Sequence, residues 1–324
     1  MNARVRSTSG RPLQVAFQAD PLEPMDIDAD STFRLMEEAQ ARGHRLFHYT
    51  PDQLHYAGGA IRARGCDVTV VRRPGDHFEA GAVREIDLSG LDVIWLRQDP
   101  PFDMAYVTTT HLLEHVHPTT LVVNDPMWVR NFPEKLIVLR FPELIPPTVI
   151  ARDPVDIRAF RERNGDIVLK PLFGNGGAGV FLLRQDDPNL NSLCETFHAM
   201  NREPLIAQRY LPEVTGGDKR IILVDGRPIG AINRIPAVGE ARSNLHVGGR
   251  AEAAELTRRD LEICECIGSV LRDHGQVFAG IDVIGKWLTE INLTSPTGIQ
   301  ELERFDGTNA AGLIWDAVEA RMAN

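Results

Sequence analysis

Apolar and polar positions alternate in two rhythms along the first third of the chain. Short apolar runs predict strands: LQVAF within LQVAFQAD, then RLFHYT, CDVTVVRR, LDVIWL and TLVVND. Between them lie segments with helical spacing. DSTFRLMEEAQARGH carries Phe33, Leu35, Met36 and Ala39 as its apolar positions, with Ser31 as the expected cap and Gly43 as the stop. AYVTTTHLLEHVH reads as a second helix. Strands alternating with helices imply a parallel sheet, with ligands collecting at the carboxyl ends of its strands. QAD and RQDPPFD fall at such ends.

From about Asp125 the texture changes. NDPMWVRNFPEKLIVLRF reads as a short helical connector. PPTVIARD, DIVLKPLFGNGGAGVFLLR, PLIAQRYLP, DKRIILVDGRPIGAINRIP and GIDVIGKWLTEINLTSP read as strands, mostly antiparallel. LTRRDLEICECIGSVLRDHG is a helix among them, with Thr257 as cap and Gly275 as stop. The pattern predicts a tail over 1–12, an α/β unit over 13–128 and an α+β half after it, which the family resemblance given below divides into 129–208 and 209–324.

Composition narrows the function. Among 324 residues, 35 are basic and 45 acidic, a net charge of -10. That argues against a general nucleic-acid binder. No stretch reaches the roughly 20 apolar residues of a membrane span, and LQVAF is too short for the core of a signal peptide. Cys66, Cys194, Cys264 and Cys266 form no C-x-x-C pair, and the last two point to different faces of a helix. Free thiols in a reducing cytoplasm follow.

Two motifs carry chemistry. In IVLKPLFGNGGAGVFLL, Lys170 ends an apolar strand, and Gly174, Gly176, Gly177 and Gly179 follow before the next. Such a turn brings backbone N–H groups close to an anion, with the lysine adding a point charge. A plain hairpin with a solvated lysine explains the stretch equally well. It is neither a P-loop nor a dinucleotide fingerprint, because no G-K-[ST] and no helix follow. The second motif sets Glu290 and Asn292 on one face of an apolar strand, with Asp282 on the strand before. Burying a carboxylate is costly unless it is paired or metal-bound, and an all-oxygen set suits Mg²⁺. A two-residue turn at Gly285 and Lys286 would put Asp282 opposite Thr289, on the wrong face. Joining the site therefore requires an odd-numbered connection or a bulge.

The glycine-rich turn, the acidic strand pair and GGDKRIILVDG together resemble ATP-grasp ligases. RQDPPFD, EKL, DPNL and LTEINLTSPTGI narrow the resemblance to the bacterial glutathione synthetase family, over nearly the whole chain after residue 12. The resemblance implies an ATP-grasp fold behind a Rossmann-like parallel-sheet domain. It implies ligation of γ-glutamylcysteine to glycine through an acyl phosphate, with Mg²⁺ or Mn²⁺ as cofactor. It places Lys135 and Lys170 on the phosphates of ATP, Gly174 to Gly179 over them, Tyr210 and Leu211 beside adenine, and Asp218 near the ribose. Asp282, Glu290 and Asn292 become metal ligands. Arg220, Arg234 and Arg242 surround the substrate carboxylate and acyl phosphate, Ser295 lies near the peptide, and Gly239 to Arg250 form a closing loop. A homotetramer or dimer is also implied. The sequence departs from the family at QADP, where Met usually precedes Asp-Pro, at Gln98 for lysine, and at Gly298 for cysteine. A different acid and amine for the same chemistry, or a non-catalytic ATP-binding relative, are the competing readings. The second predicts damaged phosphate lysines or metal ligands, and all are intact.

HLLEHVH matches the H-x-x-E-H zinc pattern, but no third ligand is evident, so an exposed helix face is expected. RRPGDHFEAGAVREID is expected as a charged surface loop and RAFRERNGD as a solvated helix end.

Overall fold

A computed structural model describes residues 11–237 and 248–323. The first unit runs β1 (Gln14–Ala19), α1 (Ser31–Ala41), β2 (Arg45–Tyr49), β3 (Leu54–Ala57), β4 (Ala60–Val70), β5 (Phe78–Ala80), β6 (Arg84–Asp87), β7 (Val93–Arg97), α2 (Met104–Glu114) and β8 (Leu121–Val123). Strands β2, β1, β7 and β8 are parallel, as the alternation predicts. The sheet then continues antiparallel through the long β4 to β3, β5 and β6. RRPGDHFEAGAVREID is therefore not simply a loop. It holds two short strands, β5 and β6, paired to β4, where its charged side chains blunt the sheet edge.

A corrected cap shows how local chemistry sets a helix start. Asp30, not Ser31, caps α1: its carboxylate accepts from the backbone N–H groups of Thr32 and Phe33. Ser31 is the first helical residue, and it is buried. Thr257 caps its helix as expected, in a reciprocal box with Asp260.

The connector follows as α3 (Pro126–Asn131) and a 3₁₀ turn at Ile137–Arg140. Next come β9 (Thr148–Ala151), α4 (Pro154–Asn164), β10 (Ile167–Pro171), β11 (Phe181–Leu183), α5 (Leu190–Met200) and β12 (Leu205–Arg209). These strands form a four-stranded antiparallel sheet in the order β11-β10-β12-β9, closed by a core around Ile157, Phe160 and Leu169. The third sheet holds β13 (Asp218–Val224), β14 (Arg227–Ile235), β15 (Arg250–Ala254), β16 (Phe278–Ile284) and β17 (Trp287–Asn292), with α6 (Arg258–Asp273) packed against it.

Helices α7 (Ile299–Asp306) and α8 (Ala310–Met322) return to the first sheet. Trp315 lies edge-on to Trp95 at 5.4 Å and donates its indole N–H to the Leu35 carbonyl. One apolar core thus includes β1, β7, α1, α8 and residues of β13 and β14. His111 is exposed, in keeping with a helix face. The four cysteines are free, with Cys264 buried and Cys266 exposed.

Candidate active site

The β16–β17 hairpin answers the register question. Its turn is the two residues Gly285 and Lys286, and Gly285 sits at φ +60, where glycine is favoured. Val283 then faces Leu288, but Asp282 faces Glu290 and Gly280 faces Asn292. Thr289 is the extra residue of a bulge, and its hydroxyl donates to the Asp282 carbonyl at 3.1 Å. The bulge brings Asp282, Glu290 and Asn292 to one face.

Two arginines from the neighbouring strands lock Asp282. Arg220 lies opposite it on β13 and donates from Nε and a terminal nitrogen at 2.6 and 3.0 Å. Arg234 of β14 reaches it at 2.9 Å and reaches Asp218 at 2.6 Å. The Asn292 amide donates to it at 3.2 Å. Burial by itself would raise the Asp282 carboxyl; Arg220 and Arg234 outweigh it and hold the group far below its usual range. Burial works against the Arg234 charge too, but Asp218 and Asp282 prevail and keep it above its usual range. Gly280 makes this possible, because a Cβ there would meet the Arg220 side chain at 3.0 Å.

Glu290 is held from the other side of the cleft. Lys135 and Lys170 lie 3.5 and 3.3 Å from the same oxygen, Oε1. Burial pushes this carboxyl up, and the two lysines overcome it and pull it down. Burial lowers the Lys170 ammonium, although Glu290 opposes the shift. Lys135 also donates to the Gly174 carbonyl at 2.6 Å, tying the connector to the glycine-rich loop.

These groups open into one cleft of about 960 Å³. Gly174, Gly176 and Gly177 line its roof, the last two at positive φ. Tyr210, Leu211 and Asp218 line it farther along, beside apolar Val168 and Leu182. Ser295 lies on the opposite wall at φ +44, where a side chain is disfavoured, and its hydroxyl donates to the Gln98 carbonyl at 2.7 Å. The expected site residues thus gather in one place, with Arg242 and most of the expected closing loop outside the described residues.

Two lining residues sat in quoted motifs, EKL and RQDPPFD, but were given no role of their own. Glu134, beside Lys135, accepts from the Thr294 backbone N–H at 3.2 Å. Burial pushes its carboxyl up to about 7, with Lys135 pulling down and Glu290 pushing up. Its signals were its place in the EKL motif and its adjacency to Lys135. Arg97, ending β7, is buried and donates to the Thr32 hydroxyl and the Pro296 carbonyl. A cation closing an apolar strand was its signal.

The donor set fits a hard cation that arrives with phosphate. Both lysines approach Oε1 of Glu290, which leaves Oε2 for a metal. Asn292 donates through nitrogen, which leaves its amide oxygen. A cation at Asp282 shares it with the two arginines. Among the described residues no group of three or more His, Cys, Asp or Glu side chains is placed to hold a metal. Two carboxylates supplemented by substrate phosphates is a usual way to bind Mg²⁺. Lys135, Lys170, Arg220 and Arg234 gather four positive charges around Glu290 and Asp282, a local cluster that suits a polyanionic ligand.

Comparison with known proteins identifies the lineage. Residues 13–130 match the family model "Prokaryotic glutathione synthetase, N-terminal domain", and 134–307 match "Prokaryotic glutathione synthetase, ATP-grasp domain". The glutathione synthetase of Brucella melitensis biotype 1 is 59% identical, over 95% of this chain and 99% of that protein. That of Agrobacterium fabrum is 57% identical, over 95% and 96%. That of Pseudomonas syringae pv. tomato is 45% identical, over 96% and 98%. Among solved structures, D-cycloserine synthetase DcsG superposes with a TM-score of 0.66 at 17% identity, over 95% of this chain and 99% of that one. The ATP-grasp ligase PsnB in complex with precursor peptide PsnA2 and AMPPNP gives 0.61 at 19%, over 96% and 98%. At such identities these two likenesses speak to the fold alone. The chain belongs to the prokaryotic glutathione synthetase family and is an ATP-grasp ligase that uses ATP and a divalent metal.

Proposed function

We propose that this ligase joins γ-glutamylcysteine to glycine, forming glutathione with release of ADP and phosphate. The observation that carries the reading is the convergence of Lys135, Lys170, Arg220 and Arg234 on a three-residue oxygen face within one cleft. A carboxylate is a poor electrophile. Its oxygen attacks the γ-phosphorus of ATP, the bond to the β-phosphate oxygen breaks, and an acyl phosphate forms. The neutral glycine amine then adds to the acyl carbon. A C–N bond forms, phosphate leaves with the electron pair, and the amine sheds a proton. No protein nucleophile is needed, so the protein's share is position and charge.

We assign roles accordingly. Lys135 and Lys170 hold the phosphates, and Gly174, Gly176 and Gly177 cover them with backbone N–H groups. The adenine lies against Tyr210 and Leu211, with Asp218 near the ribose. Arg220 and Arg234 steady the charge on the transferring and acyl phosphates, a duty Arg242 shares. Ser295 borders the peptide. Asp282, Glu290 and Asn292 hold Mg²⁺, replaceable by Mn²⁺. The bound metal screens phosphate charge as a Lewis acid. The units run over 13–128, 129–208 and 209–324. We further assign the enzyme to the cytoplasm, on its free thiols, and to a tetramer or dimer, which light scattering of the purified chain tests. No described helix is long and apolar enough to cross a membrane.

The test is ADP release with MgATP, γ-glutamylcysteine and glycine, each omitted in turn. The reading requires all three, and glutathione as product. ATP binding without ADP release on that pair would point to a different acid and amine.

A further inference from the structure

Phe173 sits at the start of the glycine-rich loop, between buried Leu172 and Gly174. Its ring stacks on Phe102, with centroids 5.8 Å apart and planes 24° from parallel. Phe102 belongs to the RQDPPFD turn at the carboxyl end of β7, on the opposite side of the cleft. It leans in turn on Tyr106, at 5.3 Å, and Tyr106 is fully buried in the core beneath the first sheet. A row of three rings thus runs from that core to the roof of the nucleotide site. Among the described residues it is the one ring contact between the first sheet's unit and the four-stranded sheet.

The two ends of this row are anchored differently. The turn is fixed at its base: the Gln98 carbonyl accepts from Ser295, and the Asp99 N–H donates to Asp20. Asp103 caps α2 just beyond Phe102. The loop is tethered to the connector by the Lys135–Gly174 bond, which involves a lysine assigned to the phosphates. Nucleotide binding draws on that lysine, so a ligand competes for this polar tether. The ring stack has no polar atoms to strand. It separates and re-forms without leaving a buried donor unpaired, and ring pairs of this kind are favourable beyond the area they bury.

We propose that Phe173 is a positioning residue that couples the two half-sites: nucleotide held under the loop braces the turn through Phe102, and the turn shapes the acyl-substrate pocket. The inference rests on the ligase reading above. Coupling of this kind is reciprocal, so each ligand tightens the binding of the other by the same factor.

Calorimetric titration of the full chain with γ-glutamylcysteine, with and without saturating AMPPNP and Mg²⁺, tests it. The expected result is about fivefold or more tighter binding when nucleotide is present. Phe173→Ala should cut that factor to roughly twofold or less, while each ligand alone binds within about threefold of normal. Phe173→Tyr, which keeps a stackable ring, should restore the factor. Phe102→Ala should reproduce the loss from the other side, and Phe102→Ala with Phe173→Ala should do no further harm, as a single contact demands. If Phe102→Ala fails to fold, Phe173→Ala and Phe173→Tyr decide alone. Unchanged coupling in Phe173→Ala, or none in the unaltered chain, overturns the inference while leaving the ligase reading standing. No γ-glutamylcysteine binding under either condition overturns both.

Discussion

The two antiparallel sheets beside the cleft hold charge in opposite ways. In the five-stranded sheet, Asp218, Arg220, Arg234 and Asp282 come from adjacent strands and pair with one another. The four-stranded sheet supplies one buried cation, Lys170, and a run of glycines. Lys170 finds its partner across the cleft, in Glu290. The five-stranded sheet is a fixed electrostatic template whose charges belong to its own fold. The four-stranded sheet is a cover whose charge serves what lies beneath it. Substitutions should therefore separate function from stability on the cover and fail to separate them on the template.

The largest effect is expected at the meeting point. Glu290→Gln removes the carboxylate toward which both lysines and the metal are directed. We expect kcat for ADP release to fall by roughly 10³-fold, the scale of losing a focused electrostatic contact. A kcat within tenfold of the unaltered enzyme would remove Glu290 from the chemistry. Next in size is Asp282→Ala, which leaves Arg220 and Arg234 side by side without their shared anion. Breaking one partner from a buried ion pair costs about 3–5 kcal/mol, and urea unfolding should register it. A loss under about 1 kcal/mol would mean the arginines find water instead, and the template would not be one.

Lys170→Met sharpens the contrast. It should lower kcat/KM for ATP by about 10²-fold yet leave stability within about 1 kcal/mol. Removing the ammonium also removes its desolvation penalty, and Lys135 still serves Glu290. Paired measurements of ADP release and urea unfolding read both quantities. A stability loss matching that of Asp282→Ala would erase the distinction between the sheets.

How much of this was legible in the sequence follows the same divide. The acidic strand face showed in the two-residue spacing of Glu290 and Asn292, because strand periodicity is local. That Asp282 needed a bulge or an odd connection was also legible. Which of the two occurs was not, since the bulge at Thr289 is settled by pairing along the whole hairpin. The arginine locks were hidden, because they depend on cross-strand register between β13, β14 and β16. Arg220 and Arg234 were expected to face ligand, and both also spend donors on Asp282. The parallel centre of the first sheet was readable from alternation. Its antiparallel extension was not, because β5 and β6 are three and four residues long and mostly exposed, with too few apolar positions to announce strands. Asp30 displaced Ser31 as cap because either side chain can serve there, and burial of Ser31 decided between them.

The smallest expected effect tests the connector, which is bonded to β17 through Glu134 and to the glycine-rich loop through Lys135. Glu134 titrates at about 7, raised from 4.5 by burial. Between those values the folded protein holds a proton that the unfolded chain has released. Stability must therefore fall as pH rises through this window, and a low pH preserves it. Glu134 is only partly covered and lines the cleft, so the penalty at pH 8 is roughly 1–2 kcal/mol rather than the full shift. Glu134→Gln keeps the shape and an acceptor for the Thr294 N–H, but it cannot titrate. Urea unfolding at pH 5, 6, 7 and 8 should show the variant gaining on the unaltered enzyme with each step, most of all between pH 5 and 6 and least between pH 7 and 8. A difference that stays constant across pH would mean that Glu134 is already ionised throughout, balanced by Lys135. Lys135 would then answer two ionised carboxylates, Glu134 and Glu290, before any phosphate reaches it.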